Sequence, residues 1–188
     1  MKKLIRNLMF GIFSEKDISR YLDPFRETLD SGAGFYLRLE GHKHKRMLEL
    51  DLMYQDTDYA IALRGANVPI LFEGTPIYDG RISLIGFNRI GNSLRVEQIQ
   101  ANKRAREFIP PKFERMMVGI LKLLAKDNGF SRLRIQKAED KRGEYGGFPP
   151  PNRTKEEFQR SMKMRYNVTA KRSGFKLDES IGDYVFLL

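Results

Sequence analysis

At 188 residues, 41% of them hydrophobic, the chain is long enough to close one domain around a real core. Its formal net charge of +10 points to an anionic partner, whether nucleic acid, an acidic membrane surface or a phosphate-bearing cofactor. The absence of cysteine excludes disulfides, thiolate catalysis and cysteine-ligated zinc, and fits a reducing cytoplasm.

Met1-Lys2-Lys3 ahead of Leu4, Ile5, Leu8, Met9 and Phe10 has the outline of a signal peptide. Arg6 and Asn7 interrupt the apolar run, and no small-residue cleavage site follows. Nothing elsewhere approaches the ~18 consecutive apolar residues of a spanning helix, so the expectation is a soluble, cytoplasmic protein with no membrane contact. Residues 3–13 fit a first strand or a first helix equally.

Ser14 with Asp17 marks a helix start, and Ile18, Tyr21, Leu22, Phe25 and Leu29 keep the helical period. Asp23-Pro24 interrupts it, which predicts two short helices meeting at Asp23, because proline costs ~3 kcal/mol inside a helix. Residues 35–40 and 46–54 alternate apolar and polar, the pattern of a half-buried antiparallel hairpin. Its turn holds His42 and His44, with no cysteine and no nearby acidic ligand, so no metal site is expected there. With both histidines in that turn, a Ser-His-Asp arrangement is not expected. Residues 59–63 read as a further strand, and 65–80 as a connection punctuated by Gly and Pro.

Residues 81–90 and 94–100 flank Gly91-Asn92, a favourable two-residue turn, and are therefore expected to be antiparallel neighbours. A basic loop, 101–109, leads to a helix opening at Pro110-Pro111 and then to a strand at 132–137, which together make a crossover between parallel strands. Phe113, Met116, Met117, Ile120, Leu121 and Leu124 lay one apolar stripe along that helix, so it must lie on the sheet. Lys103, Arg104 and Arg106 gather just ahead of the helix start, where amides and the helix dipole favour an anion such as a pyrophosphate; a solvated turn is the alternative. Residues 139–152, rich in Gly and Pro and carrying Tyr145 and Phe148, form either a surface excursion or a lid. Thr154 and Glu157 form a capping box for a helix with Phe158, Met162 and Tyr166 on one face, closed by Gly174. Two short strands, 175–177 and 184–188, end the chain.

This order of elements resembles the GNAT superfamily of acyl-CoA-dependent N-acyltransferases. The most specific local match is the run from Tyr166 to Lys176, which looks like the family's closing helix followed by Gly174-Phe175 and the next strand. Val96 to Gln100 is similar to the family's fourth strand, and Pro110 to Gly129 to the helix that receives the cofactor's pyrophosphate. The resemblance implies an α+β domain spanning 1–188, with a central, mostly antiparallel mixed sheet flanked by helices and splitting beside strand 94–100. Two places depart from the family pattern. Residues 100–109 contain no glycine where the family's phosphate loop has them, and Ala170 stands where the family often has its proton-donating tyrosine.

The resemblance implies transfer of an acyl group from acetyl-CoA or another acyl-CoA to an amine. Ile99, Lys103, Arg104, Arg106, Lys112 and Phe113 are the candidate cofactor contacts. Glu97 is the candidate base, its alternative being an ordinary polar strand position. Tyr166, one helical turn before Ala170, or Tyr145 in the 139–152 loop is the nearest acid, and the spacing of Tyr166 equally suits a core residue. A second expectation comes from the charge and the missing glycines: a GNAT-like fold that binds nucleic acid or a protein partner without catalysis.

Overall fold

The computed structural model describes residues 18–29, 31–41, 57–72, 75–77, 80–140 and 153–188. The expected first segment 3–13, the strand 46–54, both histidines and residues 141–152 of the proposed lid lie outside these. Nine strands are described: β1 (Phe35–Gly41), β2 (Tyr59–Gly65), β3 (Ile70–Phe72), β4 (Thr75–Ile77), β5 (Arg81–Ile90), β6 (Ser93–Ala101), β7 (Arg132–Gln136), β8 (Lys176–Asp178) and β9 (Asp183–Leu187). Seven of them form one mixed sheet in the order β1-β2-β5-β6-β7-β9-β8, and β3 and β4 pair separately. The longer helices are α1 (Phe113–Asp127) and α2 (Lys155–Lys163); a π-helical turn, Met164–Val168, continues α2 into α3 (Thr169–Arg172). The protein is thus α+β, with a seven-stranded mixed sheet flanked by helices.

The hairpin at Gly91-Asn92 forms as expected, with Ile90 opposite Ser93 and Gly91 at φ +59°, a conformation glycine adopts without strain. β6 and β7 run parallel, as a crossover through a helix demands, and the other adjoining strands run antiparallel. All six stripe residues of α1 are buried in one core cluster with Val96 and Ile99 of β6 and Leu133 and Ile135 of β7. Gly174, at φ +81°, ends α3, and the Phe175 amide reaches back to the Ala170 carbonyl.

Three expectations are corrected. Pro24 does not divide two helices: residues Arg20–Thr28 are one continuous 3₁₀ helix. That winding places residues three apart in line, so Asp23 and Arg26 bridge at 2.7 Å, and proline's fixed φ suits it. The connection 65–80 contains the β3–β4 ribbon, whose three-residue strands are too short to show a period. The basic loop is partly ordered: Lys103–Phe108 forms 3₁₀ turns on either side of a kink at Ala105 (φ −99°, ψ 22°). Asn102 caps it, its side-chain oxygen accepting the Arg104 amide at 2.9 Å while its nitrogen donates to the Arg81 carbonyl.

Among the described residues, no helix is long and apolar enough to cross a membrane.

Candidate active site at the split of the sheet

β6 and β7 pair only from Ser93↔Arg132 to Val96↔Ile135, while β6 continues to Ala101 against β5. The sheet therefore splits after Val96. At the same point the β5–β6 register slips, because Gly86 faces Gln98 and Phe87 faces Val96, leaving Glu97 opposite no residue. This is a β-bulge, a device that bends a strand and re-aims a side chain. It lets Val96 and Ile99 remain together on the core side although they are three residues apart.

The edge that β7 leaves is met by Tyr166. Its hydroxyl accepts the Ile99 amide at 3.3 Å and lies 3.5 Å from the Glu97 carbonyl, to which it donates. The side chain is 2% exposed. Tyr166 stands in the middle of the π turn, a local widening of the helix that is frequent at functional sites. The next residue, Asn167, accepts the Ala138 amide at 2.9 Å just beyond β7. Two consecutive side chains thus hold the two strands that part.

The carboxylate of Glu97 lies 3.4 Å from the Arg95 guanidinium. Arg95 is also forked onto Asp183 through bonds of 3.0 and 3.1 Å, and Arg134 bridges the same carboxylate at 2.7 Å. Asp183 is 1% exposed, so two arginines from neighbouring strands compensate its buried charge. Burial works against the charge on Arg95, yet its pKa is raised, by the Asp183 hydrogen bond and the charges of Glu97, Asp183 and Asp140.

Past the split, β6 runs into the Asn102-capped turn and then to the start of α1. Arg104 and Arg106 are exposed there, as is Lys112, while the side chain of Lys103 is outside the described set. Lys112 precedes the helix at φ +57°, a left-handed conformation that favours glycine. Several amides near this corner are already engaged. Arg104 donates to Asn102, Phe113 to the Pro110 carbonyl, and Arg115 and Met116 to that of Lys112. The Phe113 amide, expected to face a phosphate, is thus committed within the chain, and its ring is buried.

No family model matches this chain, and no curated protein does either.

The residues themselves must therefore carry the reading. The fold brings Glu97, Ile99 and Tyr166 together, and sets Arg104, Arg106 and Lys112 at the far end of the same connection. Ile99, expected as a cofactor contact, has its side chain wholly buried and its amide donating to the Tyr166 hydroxyl. Tyr166 meets the expectation of a core position while touching the backbone of the candidate base. Tyr145 lies outside the described residues. Sequence reasoning passed over Arg95, Arg134 and Asp183; their alternation along three separate strands carried a signal only once those strands were known to be neighbours.

Proposed function

We propose that the protein is an acyl-CoA-dependent N-acyltransferase whose reaction centre is the split between β6 and β7. The observation that carries this reading is the convergence on one residue: the register of β5 and β6 slips at Glu97, the Arg95 guanidinium lies 3.4 Å from its carboxylate, and the Tyr166 hydroxyl meets its carbonyl. The edge that β7 leaves is engaged by the Tyr166 hydroxyl at the Ile99 amide and the Glu97 carbonyl, and an extended ligand that displaces this hydroxyl pairs there as an added strand does. The pantetheine arm of an acyl-CoA is such a ligand, and Arg104, Arg106 and Lys112 supply cationic side chains for its phosphates.

In this reaction the amine nitrogen attacks the thioester carbonyl, forming the C–N bond as the C–S bond breaks. Glu97 takes the amine proton, directly or through water, and Tyr166 gives a proton to the departing thiolate. With amides at the corner engaged internally, phosphate recognition falls to side chains, which makes it sensitive to charge. Release of free CoA thiol from acetyl-CoA and longer acyl-CoAs, measured against a panel of amines, tests the reading. Amine-dependent thiol release supports it, and none with any acyl chain overturns it.

A second reading, a non-enzymatic module for nucleic acid or a protein partner, is favoured by the same engaged amides together with the net charge of +10. Steeply salt-dependent binding of nucleic acid, unaffected by acyl-CoA, identifies it.

A further inference from the structure

We infer that the outward ridge of the helix built from α2, the π turn and α3 is a docking surface for duplex DNA. The inference is independent of acyl transfer at the split. Between Glu157 and Asp178 the chain has no acidic residue, while Arg160, Lys163, Arg165, Lys171, Arg172 and Lys176 are cationic. Like charges one turn apart on a helix repel each other. Lys163 is relieved by Glu139, at 3.5 Å. The side chains of Arg160, Arg165, Lys171 and Arg172 have no hydrogen bond or ion pair among the described residues. The helix dipole favours cations in the last turn, at Lys171 and Arg172, but gives no reason for Arg160 or Arg165 in mid-helix.

The fold also sets these charges in line. Arg160, Met164, Val168 and Arg172 recur at every fourth position, on the side opposite the buried Met162, Tyr166 and Ala170. In a regular α-helix of 3.6 residues per turn, such positions drift by about 40° at each step. The wider turn at Met164–Val168 takes up that drift and straightens the row into a ridge. Arg160 and Arg172 stand exposed at its ends with Lys171 beside them, and Met164, 51% exposed, lies between. Both ends of the helix are anchored. The Thr154–Glu157 capping box closes the first, and at the last the Lys122 ammonium of α1 donates to the Ser173 carbonyl and lies 3.5 Å from the centre of the Phe186 ring.

Shape and charge together select the partner. A helix with its side chains is about 10–12 Å across, and the major groove of B-form DNA, about 12 Å wide, admits one between its phosphates. The major groove of duplex RNA is too narrow for it. An anionic membrane needs an apolar helix face to insert, whereas here that face is buried in the core, leaving only Met164 and the half-buried Val168 on the ridge. The amide of Asn167, beside the ridge, is engaged with Ala138 and Glu139 and is not available to read bases. Recognition therefore runs through phosphate contacts, with little preference for sequence.

The test follows a short fluorescent DNA duplex by anisotropy over a range of salt concentrations, with the parent and with a variant carrying Arg160→Gln, Lys171→Gln and Arg172→Gln. All three side chains are exposed and without a partner among the described residues, so the variant is expected to fold, as checked by circular dichroism; Arg160→Gln alone is the milder form. The parent should bind in the micromolar range, with log K falling linearly against log salt. The slope should become shallower by about 0.9 for each phosphate contact removed, hence by about 2–3 in the triple variant and about 0.9 in Arg160→Gln. Affinity at low salt should fall at least about tenfold in the triple variant, and duplex RNA of the same sequence should bind the parent more weakly. The inference is overturned by a parent that binds no DNA, by a triple variant with the parental slope, or by a slope that changes only with Arg104→Gln and Arg106→Gln. Equal or tighter binding of duplex RNA or of anionic phospholipid vesicles overturns it as well.

Discussion

Glu97 owes its setting to one extra residue in β6, because without the bulge it would continue the alternation of a regular strand and face Phe87 or Gly86 across the ladder. Glu97→Gln and Tyr166→Phe should each lower turnover at least about tenfold while leaving acyl-CoA affinity intact, in steady-state kinetics with calorimetric binding as control. The tyrosine variant has a second consequence. Losing the hydroxyl leaves the buried Ile99 amide without its partner, so the urea midpoint should fall by the equivalent of about 1–3 kcal/mol. Glu139, just beyond β7, gives a pH signature. Burial raises its pKa, but hydrogen bonds from Asn167 and its own backbone, with the charge of Lys163, outweigh that and hold it below its ordinary 4.5. A depressed carboxylate contributes stability that is complete above the unfolded value and is lost as pH falls through the folded one. Acid unfolding of Glu139→Gln against the parent should show a parental advantage near neutrality that disappears below pH 4.5.

The helices show how far local pattern reaches. The stripe on α1 and the Thr154–Glu157 capping box, with bonds of 3.2 and 3.0 Å, depend on residues within a few turns of one another and were legible in the sequence. Thr154→Ala should accordingly cost about 1 kcal/mol in thermal or urea unfolding. The first 3₁₀ turn after Asn102 had a visible signal, since Asn102 is a good cap, but the placing of that cap depends on the Arg81 carbonyl of a distant strand. The bulge at Glu97 was hidden for a related reason: a slip in register belongs to a pair of strands, and neither strand shows it alone. The π turn around Tyr166 has no signature in its residues that we recognise. Lys112, left-handed without being glycine, predicts that Lys112→Gly stabilises the fold by up to about 1 kcal/mol while weakening any phosphate-bearing ligand, measured by unfolding and by calorimetry.

Across the whole molecule, one face of the sheet carries more buried charge than the sequence suggested. Glu40 bridges Arg64 at 3.2 Å and also Arg81, across β1, β2 and β5, with each side chain no more than 10% exposed. Asp183 joins Arg95 and Arg134 across β6, β7 and β9. Such networks add little net stability when complete but are costly to break, so Asp183→Asn should lose about 3 kcal/mol in urea unfolding. Strand alternation was readable; which strands become neighbours is a long-range outcome, so these clusters were not. If the split sheet receives an acyl-CoA, as proposed, acetyl-CoA and longer acyl-CoAs should raise the melting temperature in a thermal-shift measurement. A ligand at about a hundred times its dissociation constant stabilises a fold by ~2.7 kcal/mol, or roughly 5–10 °C for a chain of this length. A rise of that size, lost on charge reversal at Arg104 and Arg106, is the expected result, and no rise with any acyl-CoA at millimolar concentration rules the acyl-CoA site out.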